Sequence, residues 1–224
     1  FDVLRAGKNI NTLRFNLNTW SGELLFDETN TAKKWKAKAG ITFLDQTNLT
    51  SGKSVLSPTL TTSLLPNFSL QNKGVFLMER RVMEKWEFES GLRYDWRVIE
   101  TYRPQTNFSS TILREMQSFQ GLSGSLGLTR HWNNRTESQL TLSRAFRAPG
   151  GNELYSNGVH HGAGAFEVGD PTLAGETAYN VSLSTNYKQE NWEMELGLYT
   201  NHIQNFIYLK PDVVNGIARY ATTV

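Results

Sequence analysis

The chain has 224 residues, 23 Lys+Arg against 21 Asp+Glu for a net charge of +2, 38% hydrophobic and 12% aromatic residues, and no cysteine. Balanced charge with no block of one sign gives no footprint for nucleic acid, and the lack of cysteine excludes disulfides, thiolate metal centres and thiol nucleophiles. No apolar run approaches the roughly 18 residues of a membrane-spanning helix, while the aromatic content is too high for a disordered chain.

In chain order the pattern is alternation at period two, which places successive side chains on opposite faces of a strand. It predicts about eight strands, at 12–26, 33–46, 69–81, 86–102, 119–130, 136–147, 177–188 and 192–209. In the fourth, Trp86, Phe88, Leu92, Tyr94, Trp96 and Val98 share one side, and Glu87, Glu89, Arg93, Asp95 and Arg97 the other. In the last, Trp192, Met194, Leu196 and Leu198 oppose Glu193, Glu195 and Gly197. Strands of this length exceed the usual 5–6 residues, and crossing a lipid layer, which takes about 9–11, is one reason for them.

The connections alternate as well. Short polar ones fall at Asp27–Asn30, around Met83–Lys85, at His131–Arg135 and at Lys188–Asn191, and long ones at 47–68, 103–118 and 148–176. Short turns at one end and long loops at the other are the signature of an outer-membrane barrel. Trp35, Trp86, Trp132 and Trp192 each lie beside a short turn, where an aromatic girdle would meet the membrane boundary, leaving Trp20 and Trp96 elsewhere. Core tryptophans that happen to fall near turns are the alternative. The expected fold is all-β, an antiparallel up-and-down transmembrane β-barrel, here a partial barrel of about eight long strands. The opening at Phe1 and the run Arg219–Val224, a strand just begun, are read as the ends of a piece of a longer protein.

Two stretches resemble a known family. The segment 143–176 carries Phe146, Arg147, Ala148 and Pro149, then Glu153, Leu154 and Tyr155, a loop, and Gly169, Pro171, Leu173 and Glu176. This is similar to the "FRAP…EL(Y/F)" strand end and "GxPxL…E" return of TonB-dependent outer-membrane receptors, except that Gly175 stands where the family usually has Pro. Phe76–Glu79 through Gly91–Asp95 resembles the family's "FxxE…GLRYD" hairpin. Chemically, Pro149 has no N–H for the ladder and ends a strand, and Gly169-Asp170-Pro171 is turn chemistry that sends the chain back. Arg144, Arg147, Glu153 and Glu176 are expected to brace the rim by ion pairs, with substrate contact as the alternative. The resemblance implies a barrel of about 22 strands closed by a plug. Residues 1–224 would then be about a third of a single barrel domain, with the plug and remaining strands elsewhere. It further implies the outer membrane of a Gram-negative bacterium, partnership with lipid and, through the plug, with the inner-membrane TonB complex, and import of a metal ion or metal chelate such as a siderophore.

The phrase Asn157-Gly158-Val159-His160-His161-Gly162 most resembles the subgroup proposed to import zinc. Neutral imidazoles are good zinc ligands, and Glu167 and Asp170 lie close enough in sequence to join His160 and His161. Adjacent histidines in an extended loop point apart, so a rim-packing role for both stays open. Zinc enters as cargo, and no resident cofactor is expected. His131 and His202 are read as incidental. No nucleophile elbow, HExxH helix or phosphate-binding loop occurs, so catalysis is not expected. Two other architectures remain: a complete eight-strand barrel with a structural or adhesion role, and a soluble β-sandwich binding module.

Overall fold

The computed structural model describes residues 2–5, 8–11, 14–51, 64–104, 112–160, 165–214 and 217–224. A short hairpin, β1 (Asp2–Arg5) and β2 (Lys8–Asn11), precedes six long strands: β3 (Arg14–Asn30), β4 (Trp35–Ser51), β5 (Asn67–Met83), β6 (Trp86–Pro104), β7 (Ile112–Asn133) and β8 (Thr136–Arg147). A five-residue helix α1 (Gly151–Tyr155) and two short strands, β9 (Asn157–His160) and β10 (Ala165–Val168), occupy the next connection. The hairpin β11 (Glu176–Gln189) and β12 (Trp192–Gln204) follows, then β13 (Tyr208–Val214) and β14 (Ile217–Thr223).

The long strands form one antiparallel sheet in the order β12-β11-β8-β7-β6-β5-β4-β3, so every neighbour in space is the next long strand in sequence. β3 and β12 are its two edges; the described strands do not close on themselves. All eight predicted strands are present. Several boundaries differ: β7, expected at 119–130, runs from Ile112 to Asn133 and takes up part of the connection expected at 103–118. The first short turn is Thr31–Lys34, and Asp27–Asn30 stays in the ladder opposite Trp35–Lys38, because cross-strand pairing such as Lys38–Asp27 (3.2 Å) outweighs the turn propensity of that polar run. The last strand stops at Gln204 rather than 209, where Asn205 takes a positive φ of 55°. Arg219–Thr223 is extended, yet it belongs to a separate four-stranded sheet, β13-β14-β10-β9, in which β14 runs parallel to β10.

The register makes the two faces explicit. One row of paired residues runs Leu198, Leu183, Leu140, Leu128, Phe88, Arg81, Trp35, Asn30 across all eight strands. Trp35 opens β4, Phe88 lies two residues past the start of β6, Leu140 four past the start of β8 and Leu198 six past the start of β12. Each hairpin is therefore stepped by two residues, or one per strand. A step of about 3.3 Å along the strand for about 4.8 Å across it tilts the strands by about 35°, within the range of membrane barrels.

The face containing this row also carries Leu77, Val75, Leu92, Tyr94, Leu126, Leu122, Leu142, Val181, Leu196 and Met194, and no second layer covers it: Trp192, Met194 and Leu196 are 52%, 57% and 63% exposed. That excludes the sandwich. Trp20 and Trp96 lie on this same outer face toward the long-loop end, away from Trp35, Trp86, Trp132 and Trp192 beside the short turns. Trp86 and Trp96 are ten residues apart on β6, about 27 Å along the barrel axis at the tilt above, close to the height of a barrel's apolar band. The other face is polar. Lys38 pairs with Asp27, Arg80 with Glu87 (2.6 Å), and Arg93 with Asp95 (2.6 Å) while donating to Thr42 Oγ1 (2.8 Å). Arg93 lies so close over Gly74 that a Cβ there would meet its Nη2 at 2.3 Å.

The buried cluster is small and sits on the inner face at the long-loop end: Phe68, Leu70 and Ile99 from β5 and β6, with Leu154, Tyr155, Leu173 and Ile207 from the connections. Among the described residues the buried core thus lies where connections fold inward.

Candidate functional site

The inner mouth is built from the end of β8. Pro149 offers no N–H, so pairing stops, and Arg97 Nη1 on β6 donates to the freed carbonyls of Ala148 (3.2 Å) and Pro149 (3.4 Å). Gly150 N–H donates to Glu153 Oε2 (2.7 Å), starting α1. Gly151 meets Phe68 and Ile99 so closely that a Cβ would lie 3.1 Å from the phenyl ring. Leu154 and Tyr155 are thereby turned into the core at 0% and 1% exposure. The returning chain crosses directly over the helix: a Cβ on Gly169 would lie 2.6 Å from the backbone of Leu154 and Tyr155, so only glycine fits. Gly169 N–H donates to Ser156 O (2.7 Å) and Asp170 N–H to Glu153 O (2.9 Å), while Pro171 O accepts from Gln117 Nε2 (3.1 Å).

Arg147 is the hub. Its Nη1 reaches both Glu153 oxygens at 2.9 Å and its Nε donates to Glu176 Oε2, while Glu176 Oε1 accepts the Ile207 N–H (2.6 Å). One guanidinium thus ties the end of β8 to α1, to the start of β11 and, through Glu176, to the segment after β12. These groups lie beyond the apolar band at the loop end, and there the hydrogen bond from Arg147 holds the Glu176 carboxyl below its ordinary range, with burial opposing; the same bond raises Arg147. Phe146 packs over Gly121 and Gly175, where a Cβ would meet the ring at 2.0 and 2.4 Å. Arg144 points to the outer face, donating to Leu122 O with its guanidinium 5.8 Å from the Tyr179 ring. Bracing is therefore the observed geometry of Arg147, Glu153 and Glu176, while Arg144 stands apart from them.

Of the four loop residues singled out as ligands, two meet: His160 Nδ1 and Glu167 Oε1 lie 2.7 Å apart across β9 and β10. Asp170 instead holds its own turn, accepting from Thr172 N (2.8 Å) and Oγ1 (2.6 Å). His161 lies outside the described residues. Among those described, no three His, Asp or Glu side chains gather as a metal-holding group. His131 pairs with Glu137 (3.2 Å) at the short-turn end, and His202 sits on β12.

Beside the short turns, Trp35 Nε1 donates to Glu79 (2.7 Å) and Trp132 Nε1 to Ser138 (2.9 Å), and Trp192 packs on Tyr187 at 5.2 Å. Arg130 is held between the rings of Trp86 (4.6 Å) and Trp132 (4.3 Å). Sequence reasoning passed over Arg97 and Arg130. Arg97's alternation already placed it inside, but its service to the Pro149 break is a long-range contact.

The family model "TonB dependent receptor-like, beta-barrel" matches residues 3–223. Among solved structures, the copper transporter OprC is similar with TM-score 0.73 and 15% identity over 94% of this chain and 34% of its own. A double mutant of the Serratia marcescens hemophore receptor HasR, in complex with its hemophore HasA and heme, gives 0.72 and 16% over 96% and 38%. The siderophore receptor PiuA from Acinetobacter baumannii gives 0.64 and 12% over 93% and 34%. The chain spans about a third of the length of these structures, whose likeness establishes a shared barrel architecture. With the family model matched from residue 3 to residue 223, the protein belongs to the TonB-dependent receptor β-barrel family.

Proposed function

We propose that these strands form part of the wall of an outer-membrane receptor that imports a scarce nutrient, a metal ion or metal chelate such as a siderophore, with energy delivered by the inner-membrane TonB complex through a plug domain. Residues 1–224 then supply about a third of one barrel domain. The observation that carries this reading is the pair of faces: an uncovered apolar outer face of membrane height, and a charged inner face at whose mouth Arg147 clamps α1 and the start of β11. Copper, heme and siderophores in the names of the similar structures support the cargo class. The test is uptake of radiolabelled metal and metal chelates by Gram-negative cells carrying the intact receptor, with and without a functional TonB system. Uptake that requires both supports the proposal; uptake indifferent to TonB removes the energy coupling.

Zinc is the proposed cargo on narrower grounds. The meeting of His160 and Glu167 supports it, since a neutral imidazole and a carboxylate together suit Zn²⁺. Calorimetric zinc titration of the intact receptor is expected to weaken when His160→Ala and His161→Ala are combined; unchanged affinity retires zinc while leaving the importer reading in place.

A further inference from the structure

The geometry points to a phospholipid headgroup seat on the outer face at the short-turn end, with the Arg130 guanidinium as its anchor and a lipid phosphodiester as its ligand. This rests on the membrane-wall reading above.

Arg130 pairs in register with Trp86 on β6 and so shares the outer face with Leu128 and Leu126. The two indoles on either side fix the plane of its guanidinium, and the bond from Trp132 Nε1 to Ser138, continued to Thr185 Oγ1 at 2.9 Å, holds one of those indoles in place. Yet among the described residues Arg130 has no carboxylate partner, the neighbouring Glu87 and Glu137 being paired with Arg80 and His131, and its Nε is buried with no acceptor. Arg81, one row away on β5 and exposed on the same face, makes none either. The outer-face carboxylate near Arg81, Glu79, is already taken by Trp35 Nε1.

An arginine presented at the lipid boundary without a carboxylate keeps an unmet demand for a planar, bidentate anion, and at that depth the anion in reach is phosphate. Trp132 also lines an open recess between the turns, together with Lys85, Arg135 and Tyr187; Glu84 is its one acidic residue. Two further cations beside an amphipathic Tyr-Trp pair suit a headgroup whose acyl chains run up the apolar rows above. Short turns face the periplasm in barrels of this kind, so the lipid belongs to the inner leaflet.

The test uses the intact receptor, extracted in detergent and washed extensively, with bound phospholipid read by native mass spectrometry and re-addition of phosphatidylglycerol or phosphatidylethanolamine. Wild type is expected to retain phospholipid, and Arg130→Gln to lower that retention about tenfold. Arg130→Lys keeps the charge but not the bidentate fork and is expected to fall between them. Lys210→Gln, on β13 far from the short turns, is the control and retains lipid as wild type does. Millimolar inorganic phosphate should not displace the lipid; if it does, the site is a simple anion trap and the proposal is overturned. Equal retention by wild type and Arg130→Gln, or a membrane-inserted wild type that carries no phospholipid, also overturns it. A protein that never enters membranes or micelles would instead sink the wall reading beneath it, and the same preparations show which has failed.

Discussion

Placing arginine at Leu142 and at Thr141 separates the two faces of one strand. Leu142 lies on the outer face of central strand β8, paired with Leu126 and Val181, six residues beyond the start of the strand at Thr136. At a tilt of about 35° that is about 16 Å above the short turn, near the middle of the apolar band. An arginine there is too deep to snorkel to either border and costs about 2–4 kcal/mol, a shift of about 30- to 900-fold in the folding equilibrium. Thr141, its immediate neighbour, faces inward beside Gly127 and Ser182, with the Glu89 carboxylate 3.7 Å from where a Cβ on Gly127 would stand. Thr141→Arg meets water and an acceptor and should cost no more than about 1 kcal/mol. The assay is denaturant unfolding of the intact receptor in phospholipid vesicles, followed by tryptophan fluorescence. Equal costs for the two variants, or none for Leu142→Arg, would refute the assignment of faces.

Two other outcomes concern the inner mouth. Leu154→Ala empties a fully buried site among Phe68, Ile99 and Leu173 and should loosen the docking of α1 by about 2–5 kcal/mol; proteolysis at Gly151–Tyr155 should quicken while the barrel's thermal resistance holds, and unchanged cleavage would remove the clamp from the account. The Glu176 carboxyl lies below its unfolded value near 4.3, so its stabilising contribution is complete above that pH and is lost as pH falls through the folded value. Hydrogen exchange of the Ile207 amide, corrected for intrinsic rate, should therefore rise as the pH is lowered below about 4.3 in wild type. In Glu176→Gln it should be fast throughout; a wild type insensitive over that range contradicts the linkage.

The eight strands were legible because a strand's two faces are written locally, at i and i+2, and a wall between lipid and water makes them differ sharply. Trp192, Met194 and Leu196 needed no partner to be assigned to one side. The tryptophans beside the short turns were legible for the same reason, whereas Trp20 and Trp96 looked scattered until pairing set them in adjacent rows at the opposite border. The motif at Phe146–Tyr155 announced a strand end, and its helix was missed because five residues are too few to show a helical period.

What the sequence determined alone is therefore the existence and facing of the eight long strands and the break at Pro149, all of which depend on neighbours along the chain. The tertiary structure decided the two-residue step between hairpins and hence the tilt, the inward fold of α1 and of Gly169–Leu173 beside Arg147, the partnering of His160 with Glu167 and the stacking of Arg130 between two indoles. Each of these joins residues on different strands or loops. Period-two alternation says which side a residue is on, but which residue stands beside it is set by register, and register exists only once the strands have paired.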